Sequence, residues 1–470
     1  MRLSPALPAL IRRLGLGTRQ IDAPLLIDAA LLITYIVVRV SDRSLLLAIW
    51  FGVALILAVR WPASGLGVGV ALALFPEQLH FGMTPSITII GASAVGLAVD
   101  FAVHRESRPL TMRSVATVVA GAGTLSIATL VALIHSLHRF SPTIGVALAL
   151  RWTGFAAGLG VLVLCLRTAT LGSRRPLVLG IAGLSIALVV ALLDTIAPDL
   201  LPSSGLKWML SAAESSRATG PFASANRLGT IAAVVAIVGA VQFATCDLRR
   251  RWFWAALGVL GVVVLASTFS RGALLGLTAA GAVLIATRSR RLAAVYVGVI
   301  VIAAVVAIPM LVGARLSASG GSVTELSEND AGRIDAWLAG VRMIIAQPVF
   351  GHGFGAFRVL GERFGATDGL VTAHNEFIGL WAEAGIVAAA GSVAIVIGVV
   401  VASLQRRADS WGLTALGVIV VFTIASSFNV QTSFLAVTGP VWLIVAFGIA
   451  RSGPRPRVDS DTGLADPVRT

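Results

Sequence analysis

Residues 371–385, VTAHNEFIGLWAEAG, set His374, Asn375 and Glu376 side by side at the mouth of a long apolar run, with Glu383 inside it. Histidine is the side chain best placed to take a proton from a hydroxyl near neutral pH. At a helix start the positive end of the dipole disfavours imidazolium, and nearby arginines add to that effect. Asn375 and Glu376 stand where a hydrogen bond to the ring would orient it. Glu383, about two turns further on, is expected to be buried and to need a cationic partner.

Three arginines complement that histidine. Arg271, in STFSRGALLGL, sits between two apolar runs with no polar loop around it. A charge at that depth usually faces a protein interior or a water-filled cavity, although a surface turn meeting lipid headgroups would also hold it. Arg217 precedes the small-residue stretch ATGPFASAN, which leads into an apolar run; helix-start N–H groups beside an arginine make a ready anion site. Arg333 opens an amphipathic pattern, where a cation opposes the helix dipole unless an anion or solvent justifies it. Arg151, in ALALRWTGF, is the most deeply embedded and suits an ion pair or a second anion contact. The glycine-rich GHGFGAF at 351–357 lacks both a preceding strand and a G-K-[ST] ending, so it reads as a sharp turn and not a phosphate loop. His352 within it is a lesser candidate base. No Cys/His spacing suits a metal, and Cys165 and Cys246 lie in or beside apolar runs.

These groups need a scaffold, and composition names it. Of 470 residues, 57% are hydrophobic and 12% charged, with mean hydropathy +0.92. Soluble domains are near 45–50% apolar and about 25% charged, so this is an all-α polytopic membrane protein. Apolar runs predict about 12–14 spans, the run at 63–76 being short and Ser270-Arg271 a possible break within one helix. The net charge of +14 comes from residues scattered in twos and threes between apolar runs, a topology signal and not a nucleic-acid patch. Their alternation predicts cytoplasmic termini. The chain then divides into a cytoplasmic segment (1–23), spans over 24–313 with an outer loop at 198–227, and an extracytoplasmic loop at 314–375. C-terminal spans (376–450) and a disordered cytoplasmic tail (451–470) follow. Within 314–375, Ile334, Trp337, Leu338, Val341, Ile344 and Ile345 form the apolar stripe of a helix beginning after SVTELSEND and closed by Pro348. That helix is expected on the outer membrane surface or packed over the spans.

RATGPFASANRLG, TFSRGALLGL, GRIDAWLAGVRMIIAQPVFGHGFGAF and AHNEFIGLWAEAGIVAAAG, in that order, resemble the O-antigen ligase and O-antigen polymerase superfamily over roughly residues 200–400. The resemblance implies a metal- and cofactor-independent glycosyltransferase of the bacterial inner membrane, its active site facing outward. Its donor would be an undecaprenyl-diphosphate-linked glycan and its acceptor a hydroxyl of another glycan or of lipid A core. By matching position the catalytic histidine falls on His374, and the diphosphate-binding arginines fall on Arg217, Arg271 and Arg333, with Asn375 and Glu383 in support. Ligase and polymerase share these motifs. Two other classes compete: a transporter or flippase of lipid-linked glycan, and a polymerase using a loop carboxylate such as Asp330 or Asp335.

Overall fold

The computed structural model describes Ala30 and residues 44–74, 85–104, 113–196, 218–222, 224–298, 323–367 and 371–450. The expected span at 24–40, most of that at 293–313, the terminal segments and Arg217 lie outside the described residues. Every element named below is helical. In chain order α1 (Ser44–Arg60), α2 (Pro62–Leu72), α3 (Pro85–His104), α4 (Arg113–Arg139) and α5 (Pro142–Thr170) come first. Next are α6 (Arg175–Ile196), α7 (Ala225–Thr245), α8 (Leu248–Thr268), α9 (Arg271–Ala286) and α10 (Val323–Ala346). The one-turn α11 (Phe357–Leu360), then α12 (Glu376–Gln405), α13 (Ser410–Ser426) and α14 (Leu435–Ile449) complete the set.

Seven of these helices (α3 to α8 and α12) are long and apolar enough to cross a membrane, and α2, α9, α13 and α14 are shorter apolar helices. The chain is an all-α polytopic membrane protein. Aliphatic side chains such as Ile56, Ile127, Val146 and Val259 point outward, as expected where the solvent is lipid. α7 is the central column, packed on α8, α9 and α13, while α12 packs along α4 and α14 along α5. Ser270-Arg271 separates two helices: Phe269 takes a left-handed conformation that ends α8, and Ser270 starts α9.

α12 is broken two turns in, at Gly385 (φ 75°, ψ −176°). Carbonyls released by such a break must find donors, because an unpaired backbone group costs several kcal/mol in hydrocarbon. The loop before α11 supplies them. His352 N–H donates to the Ala382 carbonyl (3.0 Å) and Gly353 N–H to that of Glu383 (2.8 Å). Gly355 and Phe357 N–H donate to the Glu383 carboxylate, at 2.9 and 3.4 Å. In return, Ile386 N–H and the Trp381 indole reach the Pro348 carbonyl, both at 3.0 Å. Gly351, Gly353 and Gly355 all have positive φ, which permits this close approach. GHGFGAF is therefore a loop pinned into a helix break.

α10 departs from the expected helix at its start, Val323, which lies inside SVTELSEND, and it packs on the face opposite its aliphatic stripe. Ala336, Ala339 and Met343 are fully buried against Ala356, Phe357, Ala373 and Ala382, while Ile334, Leu338, Val341 and Ile345 are exposed. Small residues let helix backbones approach closely, and lipid rewards a Leu or Ile as well as a core does. The aliphatic stripe thus marks the outward face.

Gly385→Ala should lower the unfolding free energy of the detergent-solubilised protein by roughly 2–4 kcal/mol, because its Cβ would strike the Val349 carbonyl and the residue needs positive φ. Gly379→Ala is the control, with only Ala373 Cβ at an ordinary 3.8 Å, and should leave that free energy within about 0.5 kcal/mol.

Candidate active site

His374 stands just outside α12. Asn375 is the N-cap: its Oδ1 accepts from Phe377 N–H (3.0 Å) and Ile378 N–H (3.1 Å). The carboxamide oxygen is therefore committed to the helix and not to the imidazole. His374 itself has φ 49°, and it and Phe269 are the two non-glycine residues with positive φ among the described residues. Such conformations cost of order 1–3 kcal/mol and gather at functional sites. One lies at the histidine and the other two residues before Arg271.

The imidazole is partly enclosed, and its Nδ1 is buried without a hydrogen-bond partner. Burial, and secondly the positive charge of Arg333, hold His374 below the ordinary histidine pKa. The ring is therefore neutral at pH 7. The arginine contribution matches the expectation, and burial, which the sequence reading did not name, is the larger cause.

Arg333 reaches His374 through the register of α10. One turn on, the Trp337 indole donates to the His374 carbonyl (3.4 Å). Trp337 also stacks on Phe428, ring centroids 6.1 Å apart. A Cβ on Gly272 would lie 3.0 Å from Phe428, so the first turn of α9, with Arg271, abuts the same side chain. Trp337 and Phe428 thus link the Arg271 corner to the His374 turn. The residue after Arg217 approaches the same corner, Ala218 N–H donating to Ser267 O at 3.2 Å.

The loop between α13 and α14 joins these pieces, and sequence reading missed it. Gln431 and Thr432 N–H donate to the Glu376 carboxylate (2.7 and 3.0 Å), as does the Thr432 hydroxyl. Glu376 therefore anchors α12 to this loop and does not orient His374. The Gln431 side chain donates to Thr230 on α7 (2.8 Å), and Phe434 lies under the Arg227 guanidinium, 3.1 Å from its centre. Arg227, which holds Phe434 of this loop, is absent from the sequence reading; a cation in the first turn of α7 is the available signal. Nothing ionisable marks 428–434 itself.

Beneath His374, Arg151 lies 3.8 Å from Glu383, donates to Ser433 (3.2 Å) and faces Phe354. These groups border a cavity of about 10 Å³, near the minimum for one water. His352 is structural: its Nε2 donates to the Met343 carbonyl (3.0 Å) and its ring packs edge-on to Phe364. Asp335 accepts from Thr367 (2.9 Å), tying the loop to α10; the Asp330 side chain lies outside the described residues. Among the described residues no group of three metal-ligating side chains gathers.

Residues 256–393 match the family model described as O-antigen ligase. That segment is similar to the domain of this family. The matched segment holds Arg271, Arg333, His374 and Glu383, whereas Arg151, Arg227 and the 428–434 loop lie outside it. No curated protein matches the chain.

A histidine with a depressed pKa keeps its neutral form until the pH falls below the ordinary value, about 6.5. The native state gives up stability as pH drops through that value, since the unfolded chain then binds the proton more readily. Nitrogen-15 NMR of histidine-labelled protein should place the His374 titration below that of an exposed histidine, and Arg333→Gln should move it upward. An unmoved titration would remove Arg333 from the site.

Proposed function

We propose that the protein transfers a glycan from a polyprenyl diphosphate carrier to an acceptor hydroxyl, as an O-antigen ligase does, with His374 as general base. The supporting observation is the half-buried, neutral imidazole with an unpartnered Nδ1, near Arg333 and the aromatic contact that leads to Arg271. In this reading the acceptor O–H loses its proton to His374 as its oxygen bonds the anomeric carbon. The carbon–oxygen bond to phosphate breaks, and its electron pair leaves on the diphosphate. Direct displacement inverts the anomeric carbon.

The leaving diphosphate gains charge, and guanidinium forks stabilise that charge without a proton or a metal. Arg271 and Arg333 take this role, with Arg217 from the segment that enters beside Ser267. Arg151 is held by Glu383 and Ser433, so it supports the floor of the site. The Glu383 carboxylate fixes the 351–357 loop beneath the substrates. The acceptor, a lipid A core sugar or another glycan, enters from the exterior leaflet. Arg227, fixed over Phe434, lines the approach from α7.

With an undecaprenyl-diphosphate-linked glycan and a sugar acceptor, purified protein should release carrier diphosphate in the presence of EDTA. His374→Ala should lower turnover by about 10²–10⁴-fold while donor binding persists. Arg271→Ala should lower it by about 10²–10³-fold. Full activity in His374→Ala, or an absolute requirement for Mg²⁺, would contradict the mechanism.

A further inference from the structure

A cavity of about 1220 Å³ lies far from His374. The C-terminal turn of α4 meets the 351–355 loop, so α5 starts at the His374 end and runs away from it. Its 29 residues span about 40 Å, and the cavity forms where α5 ends and α6 begins. This is the opposite end of the bundle.

Arg60, Arg174 and Arg175 line the cavity with a single acidic side chain, Asp100, and with Trp61. They come from three places: the last turn of α1, the turn after α5 and the start of α6. Arg175 opens a helix, where its charge opposes the dipole, so the site favours an anion near it. Apart from Thr168 and Ser173, the rest of the wall is apolar. Ile56, Val99 and Val178 line it yet stay exposed, at 71%, 53% and 49%.

Guanidinium groups beside outward-facing aliphatic side chains match an amphiphile, with an anionic headgroup below and acyl chains alongside. The volume exceeds the roughly 300–1,000 Å³ of small-molecule sites, which favours a lipid over a free anion. The chain's own N-terminal segment is a poor occupant, since Arg2, Arg12, Arg13 and Arg19 repeat the charge already there. We propose that this cavity binds one anionic phospholipid, its phosphate held by Arg60, Arg174 and Arg175 and its chains lying on Ile56, Val99 and Val178.

Trp61 reports the occupant. The full-length protein is reconstituted in vesicles of phosphatidylcholine containing brominated phosphatidylglycerol or brominated phosphatidylcholine. Subtracting the emission of Trp61→Phe isolates the Trp61 signal. Brominated phosphatidylglycerol should quench it at about fivefold lower mole fraction than brominated phosphatidylcholine. Arg60→Gln/Arg174→Gln should bring that ratio to about one. If the double variant does not fold, Arg174→Gln alone, at an exposed position, should still lower the ratio by at least about twofold. Equal quenching by both lipids overturns the proposal, as does a folded Arg174→Gln protein with an unchanged ratio. Relief of quenching by inorganic phosphate would assign the site to a free anion and overturn the lipid. Insensitivity of Trp61 to both lipids would mean another part of the chain covers the cavity, and would overturn it equally.

Discussion

A broken helix inside a membrane must find partners for the backbone groups it releases, and that constraint organises this molecule. Gly385 interrupts α12, and the 347–357 loop fills the gap with reciprocal hydrogen bonds to Ala382, Glu383 and Ile386. The Glu383 carboxylate takes two further N–H groups from the same loop, and Arg151 offsets its charge. Once the loop is fixed, Met343 and the small-residue face of α10 have a surface to pack on. Once α10 is fixed, Trp337 meets the His374 carbonyl and Arg333 lies near enough to act on the imidazole. Without the break, the positions of the charged groups would be unconnected.

Two strained residues mark the ends of this arrangement. Phe269 turns the chain so that Ser270 and Arg271 begin α9 at the site, and His374 turns it so that Asn375 caps α12. Neither residue is glycine, so each left-handed turn is held against its own preference by surrounding contacts. The 428–434 loop braces their neighbours, Phe428 against Trp337 and Gly272, and Gln431 and Phe434 against Glu376, Thr230 and Arg227. The opposite end of the bundle is built differently, with arginines around an open, apolar-walled cavity.

Much of this was legible in the sequence. Period and hydropathy set the apolar helices, and the wrong-place charges singled out Arg271, Arg333 and Glu383. The connections at 140–141, 269–270 and 428–434 gather with the His374 loop, while Arg60 and Arg174 lie at the far end. The apolar stripe of α10 is legible as a stripe, and of the two places expected for it the outward face fits, because lipid removes the rule that large apolar residues point inward. His374 was placed inside the helix although Asn375, a strong N-cap residue, already pointed to a start at Glu376. The 428–434 loop was missed because it acts through backbone groups, amides and rings, which carry no charge for a sequence reader to notice.

The central claim is that His374 and the arginines on α9 and α10 act on one donor molecule. A structure of the protein in a lipid nanodisc with an undecaprenyl-diphosphate-linked glycan tests it most directly. The account predicts the diphosphate within hydrogen-bond reach of Arg271 or Arg333, with the first sugar facing the His374 ring. A diphosphate bound elsewhere, with His374 turned toward lipid, would contradict it.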